Sequence, residues 1–215
     1  MQAVLAGCYD AGRAAALSGV PKSTVYYWAR QRVVIPSVSP SRQKLWSYAD
    51  LMALRIVYWL RHPKQGKVNE VPASPMSQVR EALEELERRN LDIWADDGQP
   101  GSPLRVDRDG RVYLADGWSA GVQGQMSLVS VLDLLGPFEN GQHHGPDLIR
   151  PRSDLRIIPG KVSGEPHLVD SRITTKSVAA LYQRVRDLNA VVALYPGIAP
   201  EIIGQAIELE HALAA

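Results

Sequence analysis

The feature that most limits the fold is a tight turn close to the start of the chain. Residues 18–20 read Ser-Gly-Val and lie between an alanine-rich stretch and a segment opened by Pro21. Gly19 can take a positive φ without the steric penalty a Cβ would bring. Asp10 suits the N-cap of a short helix over residues 11–17, whose alanines favour helix. Pro21 suits the first position of a second helix that runs to about Arg30. Two short helices joined this tightly share one interior, and Ala14, Leu17, Val20 and Val25 supply its apolar side chains.

Further along, Ser47 with Asp50 three residues later has the form of a capping box. It predicts a third helix with Leu51, Leu54 and Tyr58 on one face, ending before Pro63. Residues 63–75 read as a linker. Val79, Leu83 and Leu86 recur at helical spacing and predict a helix over residues 75–89. A strand is expected over residues 91–95. Residues 104–106 and 112–114 alternate apolar and polar around Asp109-Gly110, a hairpin signal. Residues 127–135 suit a short helix or strand, and residues 136–152, rich in Gly, Pro and His, read as a second linker. Short strands and turns are expected over residues 157–173. Helices follow over residues 175–185, with Val178, Leu181, Tyr182 and Val185 on one side, over residues 187–194, and from Pro200 onward.

Charge is distributed unevenly along this frame. Residues 1–67 carry ten Lys or Arg against two acidic residues, residues 68–150 carry a net charge of −7, and residues 151–215 are balanced. A small basic segment joined to an acidic one suits a nucleic-acid reader with a second role. The second helix carries Lys22, Ser23, Thr24, Tyr26, Tyr27 and Arg30. Lys, Ser and Thr can donate to phosphates or base edges, and a tyrosine can pack its ring while its hydroxyl meets a phosphate. Trp28 is expected in the core. Arg42 and Lys44 sit in a polar tract, residues 41–44, that would lie along a nucleic-acid backbone as a wing.

Residues 11–61 resemble the DNA-binding domain of the MerR family. Ser23-Thr24-Val25-Tyr26-Tyr27-Trp28 is similar to the family's "S-T-L-R-Y-Y", Val34-Ile35-Pro36 to "L-L-x-P", and residues 44–51 to "R-x-Y-S-x-x-D-L". The resemblance implies a winged helix-turn-helix with the recognition helix and wing at these positions. Tyr26 stands where the family has Arg, and Ala29 where it has Glu, so the family's base specificity does not carry over. The family's long dimerisation helix with a cysteine-bearing effector loop is missing, which argues against a metal-sensing member.

A second resemblance covers residues 154–213. Residues 156–168, Ser171-Arg172-Ile173-Thr174, and Tyr195-Pro196 with Ala199-Pro200-Glu201 look like a small trihelical, homeodomain-like domain found in prokaryotic antitoxins of VapBC-type systems, often behind a MerR-like N-terminus. Asp170-Ser171 replaces that pattern's Gly-Thr, and Asn189-Ala190 its acidic pair. Together the resemblances imply an antitoxin that inhibits a PIN-domain ribonuclease and represses its own operon as a dimer on operator DNA. PIN active sites are carboxylate clusters that hold a divalent cation. Arg150, Arg152, Arg156 and Arg172 are therefore candidates for a toxin-binding plug, with the acidic middle segment as a rival surface.

Enzyme readings lack support. The chain contains no phosphate-binding loop, nucleophile elbow, zinc-protease helix or paired-cysteine motif. Cys8, the one cysteine, forms no intrachain disulfide and suits a reducing cytoplasm. Gln142-His143-His144 suits an exposed pair better than a metal site, and Asp107 and Asp109 suit turn chemistry. No secretory signal or membrane span is expected, and neither a metal nor a cofactor. The expected fold is mainly α with small β elements, divided into a DNA-binding domain (residues 1–67), an acidic middle segment with a helix and β-hairpin (68–150) and a helical antitoxin-like domain (151–215). Two other readings stay open: a MerR-like transcriptional regulator with a ligand-sensing C-terminal half, and an interaction adaptor without specific DNA binding.

Overall fold

Asp10 opens the first helix as the sequence suggests, its side chain accepting from the Arg13 N–H at 2.8 Å. In the computed structural model this helix, α1, spans Ala11–Ser18 and ends on Gly19 at φ 72°. The structure describes residues 7–65, 70–88, 104–107, 109–114, 130–131, 135–140 and 143–214. Helix α2 spans Lys22–Arg30; Pro21 stands at its N-cap (φ −52°, ψ 134°), one residue ahead of the expected first helical position. Helix α3, Tyr48–Leu60, starts on the capping box of Ser47 and Asp50. Asp50 also accepts from the N–H and hydroxyl of Ser37, which ties the α2–α3 loop to the start of α3.

The described residues are mainly helical, with short antiparallel strands. After α3 come β1 (Lys64–Gln65) and β2 (Glu70–Val71), which pair with each other, so the first expected linker carries a strand pair. Helix α4 covers Met76–Arg88. Strands β3 (Leu104–Val106) and β4 (Val112–Leu114) form the expected hairpin, and β5 (Ser130–Val131) adds to the other edge of β3. Asp107 organises the hairpin turn by accepting from the N–H groups of Asp109 and Arg111 and from the Tyr113 hydroxyl. The strand expected over residues 91–95 lies outside the described residues.

The second expected linker is corrected. Strands β6 (Phe138–Asn140) and β7 (His143–Gly145) pair as a hairpin, and this hairpin packs on the back of the α1–α2 turn. Gly145 and Gly19 meet there backbone to backbone. A Cβ on Gly19 would stand 2.8 Å from the Gly145 nitrogen, and one on Gly145 would stand 3.0 Å from the Gly19 nitrogen. Phe138 and Leu148 join the same apolar core as Leu17, Val20, Val25, Leu54 and Tyr58.

Helix α3 is surrounded on more than its expected face, because α1 and α4 both pack on it. Its Arg55 is fully buried. The guanidinium donates to the carbonyls of Leu17 and Gly136, each at 2.8 Å, and to that of Pro146, and it lies 5.5 Å from the centre of the Phe138 ring. A buried cation is tolerable when carbonyl oxygens replace its water. Here those oxygens also fasten the end of α1 to the hairpin segment.

The C-terminal elements close on themselves. Strands β8 (Leu155–Arg156) and β9 (His167–Leu168) pair, and helices α5 (Thr175–Val185), α6 (Leu188–Ala193) and α7 (Pro200–Ala214) follow. Leu155, Leu168, Val178, Val191, Ile203, Ala206, Ile207 and Leu209 form a second core. Val185, expected beside Val178, is instead exposed, because α5 ends there on Arg186 in the left-handed conformation (φ 59°).

Candidate nucleic-acid interface

Helix α2 owes its outward face to its inward one. Val25, Trp28 and Ala29 are buried, with Trp28 edge-on to Tyr58. A helix anchored at those positions turns residues 22, 23, 26, 27 and 30 away from the core. Lys22, Ser23, Tyr26, Tyr27 and Arg30 are accordingly exposed, and Thr24 is half-buried. Tyr26 is 42% and Tyr27 51% exposed, high values for tyrosine rings on a packed helix. Lys22 reaches back over Gly12 at the start of α1.

Beside this helix lies the loop predicted as a wing. Ser39 and Leu45 exchange both backbone hydrogen bonds, at 3.1 and 2.9 Å, and close residues 40–44 into a short projection. Arg42 is exposed on it, and Lys44 is half-buried with its ammonium on the Ser41 carbonyl at 3.3 Å. Immediately after the projection, Trp46 pairs with Tyr9 through two backbone bonds of 2.9 Å. Its buried ring takes the edge of Tyr26, with centroids 6.2 Å apart and planes at 79°. The loop and α2 are thereby joined through an aromatic pair. Exposed Ile35 and Val38 lie on the segment between them.

Eight of the ten Lys and Arg of the first 67 residues fall into two sets. Arg13, Arg55 and Arg61 serve the fold: Arg61 donates to the Ser74 carbonyl, and Arg13 to two carboxylates. Lys22, Arg30, Arg32, Arg42 and Lys44 sit on α2 and the loop that follows it. The net charge of the segment therefore overstates what is offered outward, but among the described side chains the outward part is concentrated on one stretch.

Sequence reasoning missed the junction behind this face. Arg13 donates to both oxygens of Glu210 and to Glu165, each at 2.8 Å, and its side chain is only 9% exposed. The Thr175 hydroxyl donates to the same Glu210. Next to it the Tyr9 hydroxyl donates to the Gly164 carbonyl at 2.7 Å, and the Cys8 N–H to the Ser163 carbonyl at 3.1 Å. Burial raises the Tyr9 phenol well above its ordinary pKa, with the nearby Glu165 adding to the effect. The loop being gripped is bent by positive φ at Val162 (43°) and Ser163 (57°), neither of them glycine. A Cβ on Gly164 would collide with the Tyr9 ring and hydroxyl.

The arginines considered for a protein partner lie around β8 and β9. Arg150 and Arg172 are exposed, and Arg152 and Arg156 are half-buried. Arg156 donates to the carbonyls of Ser153 and Leu155, and Arg152 to that of Pro151. Arg150 and Arg156 both act on Asp154, while Lys161, Arg156 and Arg172 all act on His167. Arg156 is common to both groups of cations. The hydrogen bonds of Gln205 and Ser153 hold the Asp154 carboxyl below its usual range, and the arginines add to this.

Among the described residues no group of three or more His, Cys, Asp or Glu side chains is placed to hold a metal. Among them, too, no helix is long and apolar enough to cross a membrane. Cys8 is exposed. No family model, curated protein or solved structure matches this chain.

Proposed function

We propose that this protein is a DNA-binding antitoxin that represses its own operon and holds a PIN-domain ribonuclease. The observation that carries the reading is the sorting of cations: Lys22, Arg30, Arg32, Arg42 and Lys44 stay on α2 and the adjoining loop, while Arg13, Arg55 and Arg61 turn inward. A helix presented with its cations and hydroxyls outward, beside a cationic loop, suits insertion into a major groove with phosphates on both flanks. In this reading α1 and α2 are a helix-turn-helix and residues 39–45 are its wing. Helices α5, α6 and α7 form the homeodomain-like unit. The cations Arg150, Arg156, Lys161 and Arg172 suit a carboxylate-rich partner surface, since Arg–carboxylate contacts are strong and directional. A cytoplasmic homodimer fits operator binding at two half-sites.

The test has two arms. Lys22→Ala and Lys44→Ala should each weaken binding to the duplex upstream of the protein's own gene. Each should also lower the slope of log affinity against log salt by about 0.9, one phosphate contact's worth. Unchanged affinity in both variants would defeat the assignment of the site. In the second arm, the full chain should co-purify with a PIN-domain ribonuclease encoded next to it and relieve its toxicity. DNA binding without that capture would leave a transcriptional regulator with a ligand-sensing C-terminal half.

A further inference from the structure

On the exposed face of α2, Lys22, Tyr26 and Arg30 follow one another at intervals of four residues. Residues at that spacing are neighbours along one stripe, with Cβ atoms about 6 Å apart. The stripe therefore reads cation, aromatic, cation. Only the aromatic has a rigid backing. The Trp46 ring behind it is fully buried, and its backbone N–H and carbonyl are both bonded to Tyr9. Tyr26 meets that ring edge-on while 42% of it remains exposed.

We propose that Tyr26 is the base-reading residue of this interface and that Lys22 and Arg30 on either side of it hold phosphates. This rests on the DNA-binding reading above and divides its labour. A phenol carries no charge at neutral pH, so it displaces no counterion and adds nothing to the salt dependence of binding. Its hydroxyl can donate to or accept from a base edge, and its ring can pack on a thymine methyl, both in the major groove. A tyrosine has few rotatable bonds, and the contact with Trp46 removes part of the freedom it would otherwise lose on binding. Lysine and arginine on exposed stems suit the phosphates, which position a protein without reading sequence.

The experiment uses the full chain and two probes: a duplex enriched from a randomised library by the wild-type protein, and unselected duplexes of the same length. Dissociation constants are measured across a salt series. Tyr26→Ala should lower the affinity ratio between enriched and unselected DNA by about tenfold or more and leave the salt slope unchanged. Lys22→Ala should weaken both probes alike and lower the slope. Tyr26→Phe keeps the ring on Trp46 and should hold the ratio closer to wild type than Tyr26→Ala does; melting curves confirm that each variant folds. Equal loss on both probes in Tyr26→Ala, or no loss, overturns the proposal while leaving DNA binding intact. A wild-type chain that shows no salt-dependent DNA binding overturns the DNA-binding reading itself, and this proposal with it.

Discussion

The two apolar cores of this chain are assembled in different ways. The C-terminal core draws its buried members from Leu155 to Leu209, all within one stretch of sequence. The core beneath α2 runs from Tyr9 to Leu60 and then takes residues that include Val71, Val79, Val106, Leu135, Phe138, Leu148 and Ile157 from far along the chain. Two helices joined by a tight turn can in principle bury a shared face on their own, but here the turn between α1 and α2 is closed from behind by the β6–β7 hairpin. The N-terminal core therefore depends on contacts that span more of the sequence than those of the C-terminal core. Such contacts carry a larger loop-closure cost.

The sharpest way to break this difference is Arg55→Leu. The substitution leaves the carbonyls of Leu17, Gly136 and Pro146 without the donor that joins them. Leaving one buried acceptor unsatisfied costs about 1–3 kcal/mol, so three carbonyls together put several kcal/mol at stake. Denaturant titration should show a destabilisation of that order. Hydrogen exchange should accelerate in α1, α3 and the β6–β7 hairpin before α5 and α7. Uniform acceleration through both cores would mean that they are one cooperative unit and that the contrast drawn above fails.

A smaller effect is expected at the seam between the cores. Arg13 lies on α1, yet its carboxylate partners belong to α7 and to the loop before β9. Arg13→Ala takes the cation from Glu165 and Glu210 and leaves Glu210 with the Thr175 hydroxyl, at a cost of about 1.5–3 kcal/mol on the scale of hydrogen bonds to charged groups. The Tyr9 and Cys8 contacts remain, so the seam should loosen without opening fully. Protection should fall at the Cys8 amide and at the start of α5, with both cores keeping theirs. Intact protection at both places would show that Arg13 contributes little to the junction.

The parts legible in the sequence are those governed by neighbours a few residues apart. Asp10, Gly19 and the Ser47–Asp50 box each act within one turn of helix, and Asp109-Gly110 sets its hairpin locally. The outward set on α2 was legible for the same reason, since the inward positions of Val25 and Trp28 leave the rest facing out. Residues 136–152 misled because Gly, Pro and His signal loops, whereas Gly145 is there so that two backbones can touch. Its partner, Gly19, is more than a hundred residues away, and no local pattern connects them. Arg55 left a clue: a lone cation between Leu54 and Ile56 in an otherwise apolar helix needs buried acceptors. Arg13 left none, because an arginine in an alanine-rich helix reads as surface charge. The Tyr26 contact with Trp46 was hidden as well, since it needs the Ser39–Leu45 rung to bring residue 46 beside α2.

The smallest expected effect belongs to the C-terminal core alone. His167 is fully buried on β9, with Nδ1 3.0 Å from the Glu165 carbonyl, so in the neutral ring that nitrogen carries the proton and donates. Burial pushes the imidazole pKa below its ordinary value, against the favourable pull of that carbonyl, and Lys161, Arg156 and Arg172 push it further the same way. The unfolded chain therefore binds a proton at His167 more readily than the folded one. Stability should be constant above the unfolded pKa of about 6.5 and fall as pH drops below it, by at most about 1.4 kcal/mol per pH unit for one group. Asp154 titrates lower, since its carboxyl is held below the usual range, and stays charged through this window. A comparison of wild type with His167→Asn between pH 7 and 5 isolates the contribution. The variant should lose that part of the slope in α5 and α7 exchange, while exchange in α1 and α3 follows pH equally in both proteins. If the slope difference appears equally in α1 and α3, the Arg13 junction transmits the charge and the two cores are less separate than their composition implies.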